Sequence, residues 1–148
     1  MKSQPKKIRF SAEQRRSIYG ADYVAKYHVR DYKRIKRLIK YLNIKKSDRV
    51  LDIGCGNALL LDYIHDKIGS YEGVDFSEDF IRVASDRAVK RKITNAHFTC
   101  LEIRDFVNKQ SEKSYDKIFA LDFVEHIYDD EFEKTFSSDN PLFKYGNA

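Results

Sequence analysis

The sequence predicts an α/β fold, a parallel sheet flanked by helices in three layers, and three observations carry the prediction. Short apolar runs rich in β-branched residues recur along the chain. Segments of helical periodicity separate them, which is the pattern of strands joined by right-handed crossovers. Glycines and acidic residues gather just past the first two of these runs, where such sheets hold their ligands.

Each element follows from local pattern. Residues 1–21 are read as a basic N-terminal tail, its first ten residues polar. A helix is predicted over 22–42, where Ile35, Leu38, Ile39 and Leu42 share one face with lysines and arginines between them. Arg49-Val50-Leu51-Asp52-Ile53 reads as a buried strand. Residues 57–68 read as a helix, with Leu60, Ile64 and Ile68 on one side. Tyr71 to Asp75 is the second strand. The helix after it runs over 77–91, with Ser77 as its cap and Glu78 and Asp79 in the first turn, where they complement the helix dipole. Ala96–Cys100 and Lys117–Leu121 read as strands three and four, and 129–136 as another helix. Residues 137–148 look turn-like.

The 148 residues suit one domain. Apolar residues at 42% and aromatics at 14% are too many for a disordered chain. Apolar runs stop at four residues, as in 58–61, too short to span a bilayer as a helix. The opening residues lack the apolar stretch of a secretory signal. Cys55 and Cys100 form no C-x-x-C pair and no disulfide framework. A cytoplasmic protein is therefore expected. The net charge of +5 is unevenly spread: residues 1–49 carry 16 basic and 4 acidic side chains, and the remainder is acidic. The basic segment reads first as a solvated helix face. A site for an anionic partner such as nucleic acid, lipid head groups or an acidic metabolite is the alternative.

The chemistry gathers at the strand ends. Gly54 and Gly56 allow a tight turn and let a ligand approach bare backbone. Asp75 ends the second strand 19 residues after Gly56, where a carboxylate can accept both hydroxyls of a ribose. Position 59 is Leu, so the third glycine of a dinucleotide fingerprint is absent. Asp52, just before the glycines, would suit a cationic ligand and repel a pyrophosphate. These features describe a pocket for an adenosine-bearing ligand.

Four segments, in order and over about residues 48–130, resemble the motifs of the class I S-adenosylmethionine-dependent methyltransferases. Val50-Leu51-Asp52-Ile53-Gly54-Cys55-Gly56-Asn57 is similar to their glycine-rich motif, and Tyr71 to Asp75 with Phe76 and Ser77 to their second. His97 to Ile103 matches the third-strand region, with Leu101-Glu102-Ile103 where relatives usually have Gly-Asp-Ala. Tyr115 to Asp122 is similar to the fourth-strand motif. The resemblance implies a Rossmann-like sheet, S-adenosylmethionine as cofactor and methyl transfer to an acceptor it does not name. It further implies that Asp52, Gly54, Cys55, Gly56, Asn57, Asp75, Phe76, Ser77, Glu102, Ile103 and Leu121 form the cofactor site. Glu102 would meet the adenine amino group, the Ile103 backbone the ring, and Leu121 the methyl-donor region.

No catalytic residue is assigned, because an activated sulfonium chiefly needs alignment and dryness. Asp122, Glu125 and His126 form a D-x-x-E-H cluster where some relatives place E-x-x-E-H and bind magnesium. They read here as groups satisfying backbone at a turn, and no metal is expected. Tyr19, Tyr23 and Tyr27 read as core first and as a lid over the cofactor second. Cys55 reads as a packing residue.

Family members carry seven strands and this chain supplies four, so residues 22–148 read as a partial domain with its cofactor-binding core over 48–136, incomplete at its C-terminal side. Strand four would then be an open edge inviting self-association. An inactive adenosine-binding or interaction fragment, and a nicotinamide-dependent oxidoreductase, stand as alternatives.

Overall fold

The computed structural model describes residues 9–27, 32–111, 114–121, 123 and 127–143. Among them four parallel strands form a single sheet: β1 (Arg49–Ile53), β2 (Ser70–Asp75), β3 (Ala96–Cys100) and β4 (Lys117–Phe119), in the order β3-β2-β1-β4. Register is continuous across it, with Val50 opposite Tyr71 and Lys117, and Tyr71 opposite Ala96. The order reverses between β1 and β4, so the crevice such sheets use opens beyond the carboxyl end of β1, with the end of β2 next to it.

Alternating side chains build two cores. On one face Val50, Tyr71 and Phe119 pack against Ile35, Leu61, Ile64, Ala84 and Ala88. These come from α3 (Tyr32–Ile39), α4 (Leu61–Ile64) and α5 (Glu78–Lys90). On the other face Leu51, Ile53 and Val74 pack against Ile103, Phe106 and Val107 of α6 (Ile103–Val107) and against Leu142. Strands buried on both faces are what apolar runs of this kind encode. The elements before and after this body are α1 (Ala12–Ile18), α2 (Ala21–Lys26), α7 (Asp129–Thr135) and a 3₁₀ turn at Pro141–Phe143.

Several boundaries differ from the sequence reading, each for a physical reason. The stretch read as a tail through residue 21 is helical from Ala12. Ser11 accepts the Gln14 amide at 3.1 Å, and the Gln14 side chain accepts the Ser11 amide at 2.8 Å, a reciprocal cap. Its cations meet α7: the Arg9 guanidinium bonds Asp130 and lies over the Tyr128 ring, and Phe10 N–H donates to the Tyr128 hydroxyl at 2.7 Å. Part of the excess basic charge is thus matched within the chain, by contacts too exposed to add much stability. The helix expected over 22–42 is two, α2 and α3, and it stops at Ile39 before Asn43 enters the left-handed region with φ 42°.

The helix expected over 57–68 is mostly a turn. Ala58 has φ 57°, which no helix tolerates, and only Leu61–Ile64 is α-helical, with a 3₁₀ turn at His65–Lys67 after it. Strand four ends at Phe119 rather than Leu121. The turn-like tail includes the Pro141–Phe143 turn, whose Leu142 is buried and whose Leu142 amide donates to the Asn140 side chain at 3.0 Å. β4 bonds β1 and has no second strand neighbour among the described residues. No helix among the described residues is long and apolar enough to cross a membrane.

Candidate functional site

The chain leaves β1 through a turn that glycine makes possible. Gly54 has φ 66° and Gly56 φ 53°, a region that side chains with a Cβ rarely enter. The Gly54 and Cys55 amides both donate to the Val74 carbonyl, at 2.8 and 3.1 Å, which locks this turn to the end of β2. Asp75 follows Val74 and completes the lock. Its Oδ2 accepts the Gly56 amide at 3.0 Å and its Oδ1 accepts the Ser77 amide at 2.9 Å. The carboxyl is buried, and burial raises its pKa above the ordinary aspartate value. The amides of Ser77, Gly56 and Phe76 pull the other way, and the charge of Glu102 adds a small further rise.

A cavity of about 310 Å³ opens over this carboxyl. Its floor is Gly54, Gly56, Asp75 and Phe76, with Glu102 and Ile103 beside them. Three tyrosines cover it: Tyr19 stands edge-on to Phe76 at 5.8 Å, while Tyr27 and Tyr23 meet Phe80 at 5.1 and 6.0 Å. Their first reading as core is corrected, since all three rings line the cavity. Ser77 explains how they are held. Its hydroxyl donates to the Tyr19 carbonyl at 3.0 Å and accepts the Phe80 amide at 3.3 Å, so one side chain caps α5 and pins the segment between α1 and α2. Ser77 itself lines neither this cavity nor the one beside Asp52.

The far wall is ionic. Arg15 of α1 donates from both terminal nitrogens to Glu131 of α7, each at 3.4 Å, and Arg16 approaches Glu102 at 3.8 Å. Sequence reading missed Arg15, Glu131, Phe123 and Ile127 as lining residues. Arg15 and Glu131 lie 116 positions apart, so no local spacing could have joined them. The capping of α1 by Ser11 and Gln14 is the one available signal that the N-terminus is built rather than loose.

The remaining expected residues border a second cavity, of about 260 Å³, where Asp52, Cys55, Asn57 and Leu121 meet Leu60 and Arg34. Asp52 is turned into the fold instead of standing ready beside the turn: its Oδ2 accepts the Tyr71 hydroxyl at 2.6 Å, and both residues are buried. Burial, then the Asp52 charge, pushes the Tyr71 phenol well above its ordinary pKa, so it stays a donor. The register that sets Tyr71 beside Val50 brings the two side chains together. Tyr71→Phe should therefore destabilise the fold by about 1–3 kcal/mol, because Asp52 loses a buried donor. Urea unfolding measures this, and an unchanged midpoint would mean that Asp52 does not depend on Tyr71. Burial also raises the Cys55 thiol well above its ordinary range, with Asp52 and Asp75 adding to the effect, so it is a packed, protonated group. Asp122, Glu125 and His126 lie outside the described residues.

Comparison with known proteins bears on this geometry. A family model described as a methyltransferase domain matches residues 44–136, well over half of the chain. Among curated relatives, a ubiquinone biosynthesis O-methyltransferase of Coxiella burnetii is 30% identical over 96 residues, covering 65% of this chain and 39% of the relative. The enzyme of the same name from Neisseria meningitidis serogroup C is 24% identical over 85 residues, covering 57% of this chain and 35% of the relative. The chain thus spans about two-fifths of the length of the curated relatives it matches or less. Among solved structures, a Haemonchus contortus phospholethanolamine N-methyltransferase 2, in complex with phosphomonomethylethanolamine and S-adenosylhomocysteine, aligns with TM-score 0.63 and 25% identity, over 71% of this chain and 24% of that one. A SAM-dependent methyltransferase of Aquifex aeolicus aligns with TM-score 0.55 and 22% identity, over 67% and 55%, a likeness of fold.

Proposed function

The chain belongs to the methyltransferase domain family, and from that premise we propose that it binds S-adenosylmethionine and serves methyl transfer to a nucleophilic acceptor. The observation that carries the reading is Asp75: a buried carboxyl at the end of β2, oriented by the Gly56 and Ser77 amides, on the floor of a cavity. Its two oxygens offer about four acceptor positions, more than the Gly56, Ser77 and Phe76 amides occupy, which leaves room for a ribose hydroxyl. The residues present fit the cofactor in other ways. Gly56 exposes bare backbone to the cavity, Glu102 and Ile103 line it and would meet an adenine edge, and tyrosine rings suit a cation and exclude water.

When bound, this cofactor supplies a methyl group on a sulfonium, already an activated donor. The chain's own part is to hold, align and keep dry. A hydroxyl acceptor is the first to test, supported by the O-methyltransferase relatives. An amine acceptor is the second, since the Haemonchus neighbour is an N-methyltransferase. A cytoplasmic setting belongs to the same reading and is supported by two free cysteines.

Calorimetry with S-adenosylmethionine and S-adenosylhomocysteine, then transfer of a tritiated methyl group to acceptor pools, tests the proposal. Both ligands should bind, and label should move. A folded chain that bound neither, or preferred a nicotinamide dinucleotide, would overturn it. Cofactor binding without transfer, together with concentration-dependent dimers, would favour a second reading: an adenosine-binding interaction fragment that pairs through the β4 edge, which has no outer strand among the described residues.

A further inference from the structure

Gly54 borders both cavities, the one over Asp75 and the one beside Asp52 and Asn57. The ring of Phe123 rests on that glycine. A Cβ placed at Gly54 would meet Phe123 ring carbons at 2.6 and 2.9 Å, well inside the contact distance of about 3.5–4.0 Å between carbons. No ligand atom can lie on the bare face of Gly54 while the ring is there. The ring is supported from behind: its centroid is 6.3 Å from that of Phe136, which in turn packs on Phe132 at 4.9 Å and Phe143 at 5.2 Å.

We infer that Phe123 divides one ligand site into two halves and so decides how much of a ligand the site accepts. With the ring on Gly54, the half over Asp75 takes a nucleoside. With the ring rotated off, a nucleoside bearing an amino-acid arm reaches past Gly54 toward Asp52 and Asn57. The inference rests on the proposed cofactor, and it adds a residue outside the four motifs as the determinant of arm binding. The affinity of the longer ligand is reduced by the fraction of molecules whose ring is seated.

The test separates the two halves by using two probes, adenosine and S-adenosylhomocysteine, on the wild type and on Phe123→Ala. A ring seated in about nine molecules of ten implies that the variant binds S-adenosylhomocysteine about tenfold more tightly. Adenosine affinity should change by a clearly smaller factor than that of S-adenosylhomocysteine, since its half is open in both states although Phe123 lines it. Phe123→Leu keeps an apolar side chain for the core and should move S-adenosylhomocysteine affinity the same way by a smaller factor, which guards against a poorly folded alanine variant. Unchanged or weakened S-adenosylhomocysteine binding in both variants, with adenosine still bound, would overturn the division while leaving the cofactor reading intact. Failure of both probes on every folded variant would overturn the cofactor reading and this inference with it.

Discussion

Gly54→Val is expected to remove cofactor binding altogether and to weaken the fold. At φ 66° the residue sits in the left-handed region, where a Cβ costs about 1–2 kcal/mol and a β-branched side chain more. Space gives the second reason. Any Cβ at this position collides with the Phe123 ring, at 2.6 Å for the nearest carbon, so the ring, the turn or both must move. The turn has little freedom, because the Gly54 and Cys55 amides are held by the Val74 carbonyl and the Gly56 amide by Asp75. Displacing it would break the arrangement that presents Asp75. Gly54→Ala shares the strain without the branching and should fall between the two. Circular dichroism establishes that the variants fold, and calorimetry reads binding. A folded Gly54→Val chain that held S-adenosylhomocysteine at wild-type strength would show that the ligand does not use this turn.

How much of this was legible depends on where the information lay. Strands β1 to β3 agree with the sequence reading to within one residue. β1 and β2 are buried on both faces and so are written as apolar runs, while β3, a partly exposed edge strand, is legible from its place in the strand–helix alternation. The Ser77 cap was equally local, a hydroxyl three residues before the amide it accepts. The turn after Gly56 was misread because Leu60, Ile64 and Ile68 are spaced for a helix. Their burial instead comes from a turn, a short helix and a 3₁₀ turn in succession, set by the positive φ of Gly56 and Ala58. The role of Asp52 was hidden because its partner Tyr71 is 19 residues away and is found only through the register of β1 on β2. Phe123 carries no local signal at all. Its meeting with Gly54 depends on how the chain returns after β4, and periodicity says nothing of that.

Asp75→Ala is expected to lower cofactor affinity by about thirtyfold, on the order of 2 kcal/mol for a charged acceptor of a ribose hydroxyl. Asp79→Ala supplies the control. Asp79 lies in the first turn of α5 and pairs with exposed Arg82 at 2.7 Å, so its loss should leave affinity nearly unchanged. Asp75→Ala should also destabilise the free protein, because the Gly56 and Ser77 amides both lose a buried acceptor. Asparagine restores one acceptor oxygen and no charge, so Asp75→Asn should recover part of the stability and little of the affinity. The pH dependence then distinguishes a ligand contact from a structural one. Burial raises the Asp75 pKa in the free folded chain, so between the ordinary and the raised value the folded state holds more protons than the unfolded one. Acidification through that window therefore favours the fold of the free protein, and the gain is lost again as pH rises through the raised pKa. Ligand hydroxyls need the carboxylate, so cofactor affinity should behave oppositely, rising with pH through the raised pKa and levelling off above it. The two opposed slopes should both vanish in Asp75→Asn. A wild-type affinity that stayed flat across the window, or a slope that survived in Asp75→Asn, would assign the titration to another group and leave Asp75 as a brace for the glycine turn.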